Sequence, residues 1–352
     1  MKQPDILYSI FDKPGDYWEI TKKDYEVIID NKFHYDFPIE VIIPTYKRPK
    51  LLLEALDSAI NQDVDFNYLI TIIDNDPDSS NENLLNKNEY RNRIRYIRNK
   101  ENLGLFGNWN RAIQVCRAPF IALLHDDDLL GKNYLSTLIR IIDKYPNVGV
   151  ITHTPYQIKN GNILNPFSSL ESRIKKNSLQ YVSWKDYLYG NITSASCMVI
   201  NKQKAIEING WSSKEFPSAD WFFNARMAYN YTLLIYYSPM SYYRWLVNAS
   251  LESGMNNKFY LADINFMLNN LDVGARYLSN FSRLRIKLTV IKIINHTGIA
   301  EIVSNHPRIE SLYTQFIKMD SFTMSTIIFL SRIINKISRE INWMVNTKHY
   351  DL

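Results

Sequence analysis

Short apolar runs that each break off in a polar loop, alternating with stretches of helical period, constrain this chain most. Ile39 to Ile43 is one such run and ends at Pro44. Tyr68 to Asp74, Ile94 to Ile97 and Phe120 to Leu124 are built the same way. Between and after them, apolar residues recur at helical spacing from Pro49 to Ile60, Asn108 to Cys116 and about Asn133 to Tyr145. Pro49 suits a first helical turn, where its missing N–H costs nothing. Strands alternating with helices in this way predict βαβ units and an α/β, mostly parallel sheet flanked by helices. Parallel strands bring their carboxyl ends to one edge, and ligands of open α/β sheets sit there.

The fourth run ends most abruptly. Phe120-Ile-Ala-Leu-Leu passes through His125 into three carboxylates, Asp126, Asp127 and Asp128. Like charges crowded at a strand end repel, so the triplet points to a hard divalent cation such as Mg2+ or Mn2+. The competing reading is a solvated acidic turn capping the helix that begins near Lys132. Two other strand ends would meet the triplet in one crevice: Pro44-Thr-Tyr-Lys-Arg48 and Asp74-Asn-Asp76. Asp74 could accept from a base N–H, and Thr45 and Tyr46 could touch base or ribose. By itself, Asp-Asn-Asp-Pro is more often a turn.

Composition narrows the class. The 352 residues suffice for one large or two ordinary domains, and 46% hydrophobic with 22% charged is ordinary for a globular chain. No window resembles a signal peptide, and no uninterrupted apolar run is long enough to span a bilayer. Cys116 and Cys197 lie far apart in apolar surroundings, which predicts buried free thiols and suits a reducing, cytoplasmic compartment. The net charge of +5 favours anionic partners such as nucleotides, lipid diphosphates or a membrane surface, and is too weak to argue for nucleic acid.

Taken in order, Pro-Thr-Tyr-x-Arg, Ile-Ile-Asp-Asn, Asn-Leu-Gly and Leu-Leu-His-Asp-Asp-Asp resemble a family 2 glycosyltransferase of GT-A fold, bacterial surface-polysaccharide type, over about Ile39 to Ser250. The resemblance implies transfer from a nucleotide-sugar donor, with inversion and with Mn2+ or Mg2+. It places Pro44, Thr45, Tyr46 and Arg48 in the nucleotide loop, and Asp74, with Asn75 beside it, at the base. It sets Asn102 and Gly104 beside the diphosphate. Asn110 falls where the family often has Asn in an Ala-Arg-Asn run. Trp109 takes the place of the usual Arg, so Arg111 is expected to supply the positive charge. The triplet matches the DxD-type motif, with Asp126 near the ribose and Asp127 and Asp128 nearest the metal.

Downstream, Ser194 to Ile200 reads as a strand, and Gly210-Trp211 followed by Pro217 to Arg226 resembles the family's Gly-Gly-Phe…Glu-Asp segment. Asp220 matches the general base, with Ala219 in place of the preceding Glu. An inverting transfer needs one such base facing the anomeric carbon. The plainer alternative is that Asp220 N-caps a Trp221–Tyr229 helix. Ser241 to Ser250 resembles Tyr-Arg-x-His…Ser, with Leu246 in place of His, and Arg244 is expected to neutralise the leaving diphosphate. Trp211, Trp221, Tyr242 and Tyr243 could wall an acceptor site, although core packing is the commoner fate of such rings.

The organisation expected is an N-terminal extension over 1–37, a catalytic domain over 38–254 and a helical region over 255–352. In the last, Arg276, Arg283, Arg285, Lys287, Lys292, Arg332, Lys336 and Arg339 interleave with apolar residues. That pattern fits either an amphipathic surface that meets anionic lipid, where a lipid-linked glycan acceptor would sit, or helices packed on the protein. Two other classes compete with the leading reading. A sugar-phosphate nucleotidyltransferase would carry a glycine-rich loop that Pro44–Arg48 lacks. A non-catalytic carbohydrate-binding or scaffold relative is suggested by the departures at Trp109, Ala219 and Leu246.

Overall fold

The computed structural model describes residues 9–30, 36–79, 81–165, 177–193, 195–245, 255–273, 278, 280–297, 326, 329 and 330. Its strands are β1 (Tyr25–Ile29), β2 (Ile39–Thr45), β3 (Leu69–Asp74), β4 (Arg95–Asn99), β5 (Phe120–Leu123), β6 (Leu129–Leu130), β7 (Val148–His153), β8 (Tyr156–Lys159), β9 (Asn162–Leu164), β10 (Leu179–Tyr181), β11 (Met198–Asn201), β12 (Thr232–Tyr236) and β13 (Ser241–Arg244). Helices are α1 (Tyr17–Ile20), α2 (Pro49–Ile60), α3 (Glu82–Leu85), α4 (Asn88–Arg91), α5 (Gly104–Val115), α6 (Tyr134–Lys144), α7 (Lys202–Glu207), α8 (Ala219–Asn230), α9 (Met255–Val273) and α10 (Asn280–Thr297).

The main sheet has nine strands in the order β1-β4-β3-β2-β5-β11-β7-β12-β10. Its β4-β3-β2-β5 block is wholly parallel. Along β2, Val41 and Ile43 enter one core with α2 and α6, while Ile42 enters the other with α5 and α8. A strand alternates its faces residue by residue, so a near-continuous apolar run serves both layers. α2 spans the predicted residues and buries Leu52, Ala55, Leu56 and Ala59, the i, i+3, i+4, i+7 stripe of an amphipathic helix.

The chain leaves β2 towards β3 and β4, then returns to pair β5 with the opposite edge of β2. That reversal opens a crevice at the carboxyl ends of β2 and β5. β2 runs through Pro44 to Thr45 rather than ending before the proline. This is tolerated because β5 pairs only as far as Ile42, so no ladder bond on that edge needs the missing N–H.

Several expectations change at the edges. α5 begins at Gly104, four residues before the predicted start, and Gly104 takes φ +70, which glycine adopts without strain. β11 begins at Met198, not Ser194; Ser196 and Cys197 form a turn, and Ser194 is outside the described residues. β11 runs antiparallel to both β5 and β7, which makes the sheet mixed. In the N-terminal extension, β1 pairs antiparallel with β4 at the sheet edge. A second sheet, β6-β13-β8-β9, lies beyond the acidic triplet. Helical structure follows in α9 and α10, whose buried Ile264, Phe266, Met267, Ile286 and Val290 join the α5–α8 core. Of the basic residues expected to form an amphipathic surface, Arg276, Arg332, Lys336 and Arg339 are outside the described residues. Among the described residues no helix is long and apolar enough to cross a membrane. Both cysteines are buried and free.

Candidate functional site

One cleft of about 620 Å³ opens at the β2/β5 crevice. Pro44, Thr45, Tyr46 and Arg48 line it from the β2–α2 loop, and His125, Asp126 and Asp127 from the loop after β5. Asn75, Asn102 and Gly104 form its floor, and Asp220 lies in the same cleft. Nine of the residues picked out from the sequence for the site therefore converge from five separate stretches of chain: Pro44, Thr45, Tyr46, Arg48, Asn75, Asn102, Gly104, Asp126 and Asp127, with Asp220 as the tenth.

Across the crevice, Thr45 Oγ1 donates to Asp126 Oδ2 at 2.8 Å. Arg48 sits between the acids, with its guanidinium 2.8 Å from Asp127 and 3.4 Å from Asp126. Lys47, between Tyr46 and Arg48, holds φ 56, a left-handed conformation that costs a non-glycine residue about 1 kcal/mol or more. Such strain persists where the surroundings dictate the backbone. Asp128 is fully buried. Its Oδ1 accepts from the Arg244 backbone N–H at 3.0 Å, and its Oδ2 accepts from Ser196 Oγ. Burial pushes Asp126 up to about 6; Asp128 rises to about 7 through burial first and then through the charge of Asp127. These are not the properties of a solvated acidic turn, and the N-cap position of α6 is Asn133. His125 lies under the Trp109 ring, centroids 5.0 Å apart, and its Nε2 is buried without a hydrogen-bond partner. His125, Asp127 and Asp128 each offer a ligand atom within 4.8 Å of the others.

Asn75 organises the floor. Its Oδ1 accepts from Leu103 N at 2.9 Å and Asn99 Nδ2 at 3.1 Å, and its Nδ2 donates to Asn102 Oδ1 at 2.8 Å. Asn102 Oδ1 also accepts from Gly104 N, which holds the Asn-Leu-Gly loop against β3.

At the far side of the cleft, Asp220 is half-buried and pushed up to about 6 by burial. It is the second residue of α8, not its N-cap, which is Ser218. No cation among the described residues pairs with it. Phe216, Met255 and Phe259 supply apolar wall nearby.

Three expected site residues are placed elsewhere. Asp74 is fully buried behind the cleft. Its Oδ2 accepts from Tyr96 OH at 2.9 Å and Asn81 Nδ2 at 2.8 Å, and its Oδ1 from Asp76 N at 3.1 Å, and it does not line the cleft. Arg111 is also fully buried. It donates to Asn99 Oδ1 and Lys23 O, both at 2.9 Å, and to Gln114, and it stacks over Tyr25. Its charge ties the N-terminal segment to α5 and does not reach the cleft. The Arg244 guanidinium is drawn to Glu54 on α2, and its backbone N–H donates to Asp128. Asn110 is structural as well: its amide clamps the Trp211 backbone in both directions, at 2.8 and 2.9 Å. Trp211 and Trp221 are core, Tyr242 stacks on Tyr156, and only Tyr243 of the four aromatics lines the cleft. Sequence reasoning missed Ser196, Thr193, Asn191 and Phe259, whose types carry no chemical signature.

Residues 40–208 match the family model described as Glycosyl transferase family 2. An uncharacterized glycosyltransferase of Methanocaldococcus jannaschii is 26% identical over 54% of this chain and 65% of its own length. The Campylobacter jejuni GalNAc(5)-diNAcBac-PP-undecaprenol beta-1,3-glucosyltransferase is 29% identical over 47% of this chain and 52% of its own. The chain thus spans less than two thirds of either relative. The crystal structure of Staphylococcus aureus TarS 1-349 in complex with UDP-GlcNAc superposes with a TM-score of 0.54 at 15% identity, covering 77% of this chain and 78% of that one.

Proposed function

Residues 40–208 belong to glycosyl transferase family 2, on a GT-A fold, and on that premise we propose that the chain moves a hexosyl group from a UDP-sugar to a hydroxyl of a glycan acceptor, with inversion at the anomeric carbon. The observation that carries this reading is the pairing, in one cleft, of an Arg48-bound acidic cluster with a separate, desolvated Asp220.

The acidic cluster suits Mn2+ or Mg2+. Buried carboxylates whose charges repel gain from a dication, and hard cations prefer oxygen. Asp127 and Asp128 would hold the ion, which when bound supplies charge neutralisation at the departing diphosphate. Thr45 keeps Asp126 oriented on the ribose side, while Pro44, Tyr46 and Arg48 border the nucleotide. Asn75, Asn102 and Gly104 shape the floor beneath the diphosphate. Asp220 takes the proton from the acceptor hydroxyl, and its proton affinity, raised to about 6, suits a base working near neutrality.

The acceptor we infer is lipid-linked, in the assembly of a surface polysaccharide such as O-antigen or capsule, on the inner face of the cytoplasmic membrane. The Campylobacter relative, named for a glucosyl transfer to an undecaprenol-linked glycan, supports this choice. A thermal-shift screen of nucleotide sugars with and without Mn2+ tests the donor reading. Stabilisation by one nucleotide sugar, dependent on metal, is expected. No stabilisation by any of them would overturn it.

A further inference from the structure

α9 lies outside residues 40–208, yet one stripe of it faces the cleft region. Met255, Phe259 and Asp263 recur at i, i+4 and i+8, the spacing of a single helical face. Met255 and Phe259 line the cleft beside Asp220. Asp263, one turn further on, is half-buried and accepts a hydrogen bond from Ser218 Oγ at 2.9 Å. Ser218 is the N-cap of α8, two residues before Asp220.

We propose that Asp263 is a positioning residue for Asp220 and that the two carboxyls titrate as a coupled pair; this deepens the glycosyl-transfer reading and rests on it. α9 and α8 meet at the Ser218–Asp263 bond, so Asp263 braces the turn from which Asp220 enters the cleft. Asp263 is held up to about 7: burial does most of this, the Ser218 hydrogen bond opposes it, and the charge of Asp220 adds to it. Burial likewise pushes Asp220 up to about 6. Ionisation of one carboxyl then raises the proton affinity of the other by like-charge repulsion.

Few other groups act on the pair. Tyr187, on the short helical turn Asp186–Tyr189, feels the charge of Asp220, but burial keeps its phenol neutral, and its OH lies 3.1 Å from Thr193 Oγ1. Asp186 on the same turn accepts from Ser183 N. The buried cation further along α8, Arg226, is closed on Glu215. Met255 and Phe259 bring no charge.

The test is a carboxyl 13C NMR titration of the full chain, read at Asp220 and Asp263, which needs neither donor nor acceptor. Two steps, near pH 6 and pH 7, are expected at Asp220. Asp263→Asn should leave one step, and Ser218→Ala should move the upper step to higher pH by removing the bond that opposes it. A single-step Asp220 curve in the wild type, or an unchanged curve in Asp263→Asn, would overturn the proposal. If Asp263→Asn does not fold, Ser218→Ala and the acid-preserving Asp263→Glu carry the same test. Turnover separates the two levels of inference. Activity retained in Asp220→Asn refutes the base assignment even if the titrations are coupled. Activity lost in Asp220→Asn with uncoupled titrations refutes only the pair.

Discussion

The two ends of the cleft hold carboxylates in opposite ways. At the β2/β5 crevice, Asp126, Asp127 and Asp128 are crowded together and offset by Arg48, Thr45, Ser196 and the Arg244 backbone N–H. At the far end, Asp220 is set against apolar wall with no cation among the described residues. In the first arrangement burial raises the proton affinity of Asp126 and Asp128, and the charge of Asp127 raises it further, a repulsion that a dication relieves. In the second, burial alone raises Asp220. The chemistry differs because the surroundings differ, although the side chains are the same.

Substitutions can test that contrast, beginning with the largest effect. Asp220→Asn should lower kcat by roughly 100- to 10,000-fold, the usual range for losing a general base, with donor binding intact in the thermal-shift assay. The wild-type rate should rise with pH through about 6, since the base must be ionised to work. Arg111→Met should cost about 3 kcal/mol in urea unfolding, because Asn99 Oδ1, Lys23 O and Gln114 lose their donor at once, while donor affinity holds. A loss of donor affinity at unchanged stability would return Arg111 to the diphosphate.

Smaller effects follow at the acidic end. Ser196→Ala should weaken Mn2+-dependent stabilisation by about 10- to 100-fold in metal affinity, the range for partners that orient metal ligands, and an unchanged metal titration would separate Asp128 from the ion. Without added metal, stability should fall as pH rises through about 6 to 7. Asp126, Asp128 and Asp220 keep their protons in the fold to higher pH than in the unfolded chain, so their contribution is present at low pH and lost as they ionise. Chemical denaturation from pH 5 to 8 reads this, and Mn2+ should restore most at the upper end. Last, Arg244→Ala should change stability by less than about 1 kcal/mol, since Glu54 is more than half exposed. It should leave donor affinity unchanged, because the backbone N–H of residue 244 remains.

The parallel half of the molecule was readable because its signals are local. Pro49 opens α2, its apolar stripe is periodic, and each strand stops at a polar loop. Even there, Arg111 and Asp74 were placed by residue type, and the fold uses both as internal ties. A buried guanidinium and a buried carboxylate look the same in sequence as ones that face a ligand. Asn110 was equally opaque, because its partner, the Trp211 backbone, is 101 residues away.

By itself, the amino-acid sequence determined the order of strands and helices in the parallel half, the edge on which the polar loops gather, and the residue types available there. Those follow from periodicity and from the carboxyl ends of parallel strands. Only the tertiary structure decided which of those residues face the cleft: Arg48 but not Arg111, and Asn75 but not Asp74. It also brought Asp263 of α9 to the N-cap of α8. Desolvation and hydrogen-bond partners set the charge state of each group, and they depend on segments far apart in the chain.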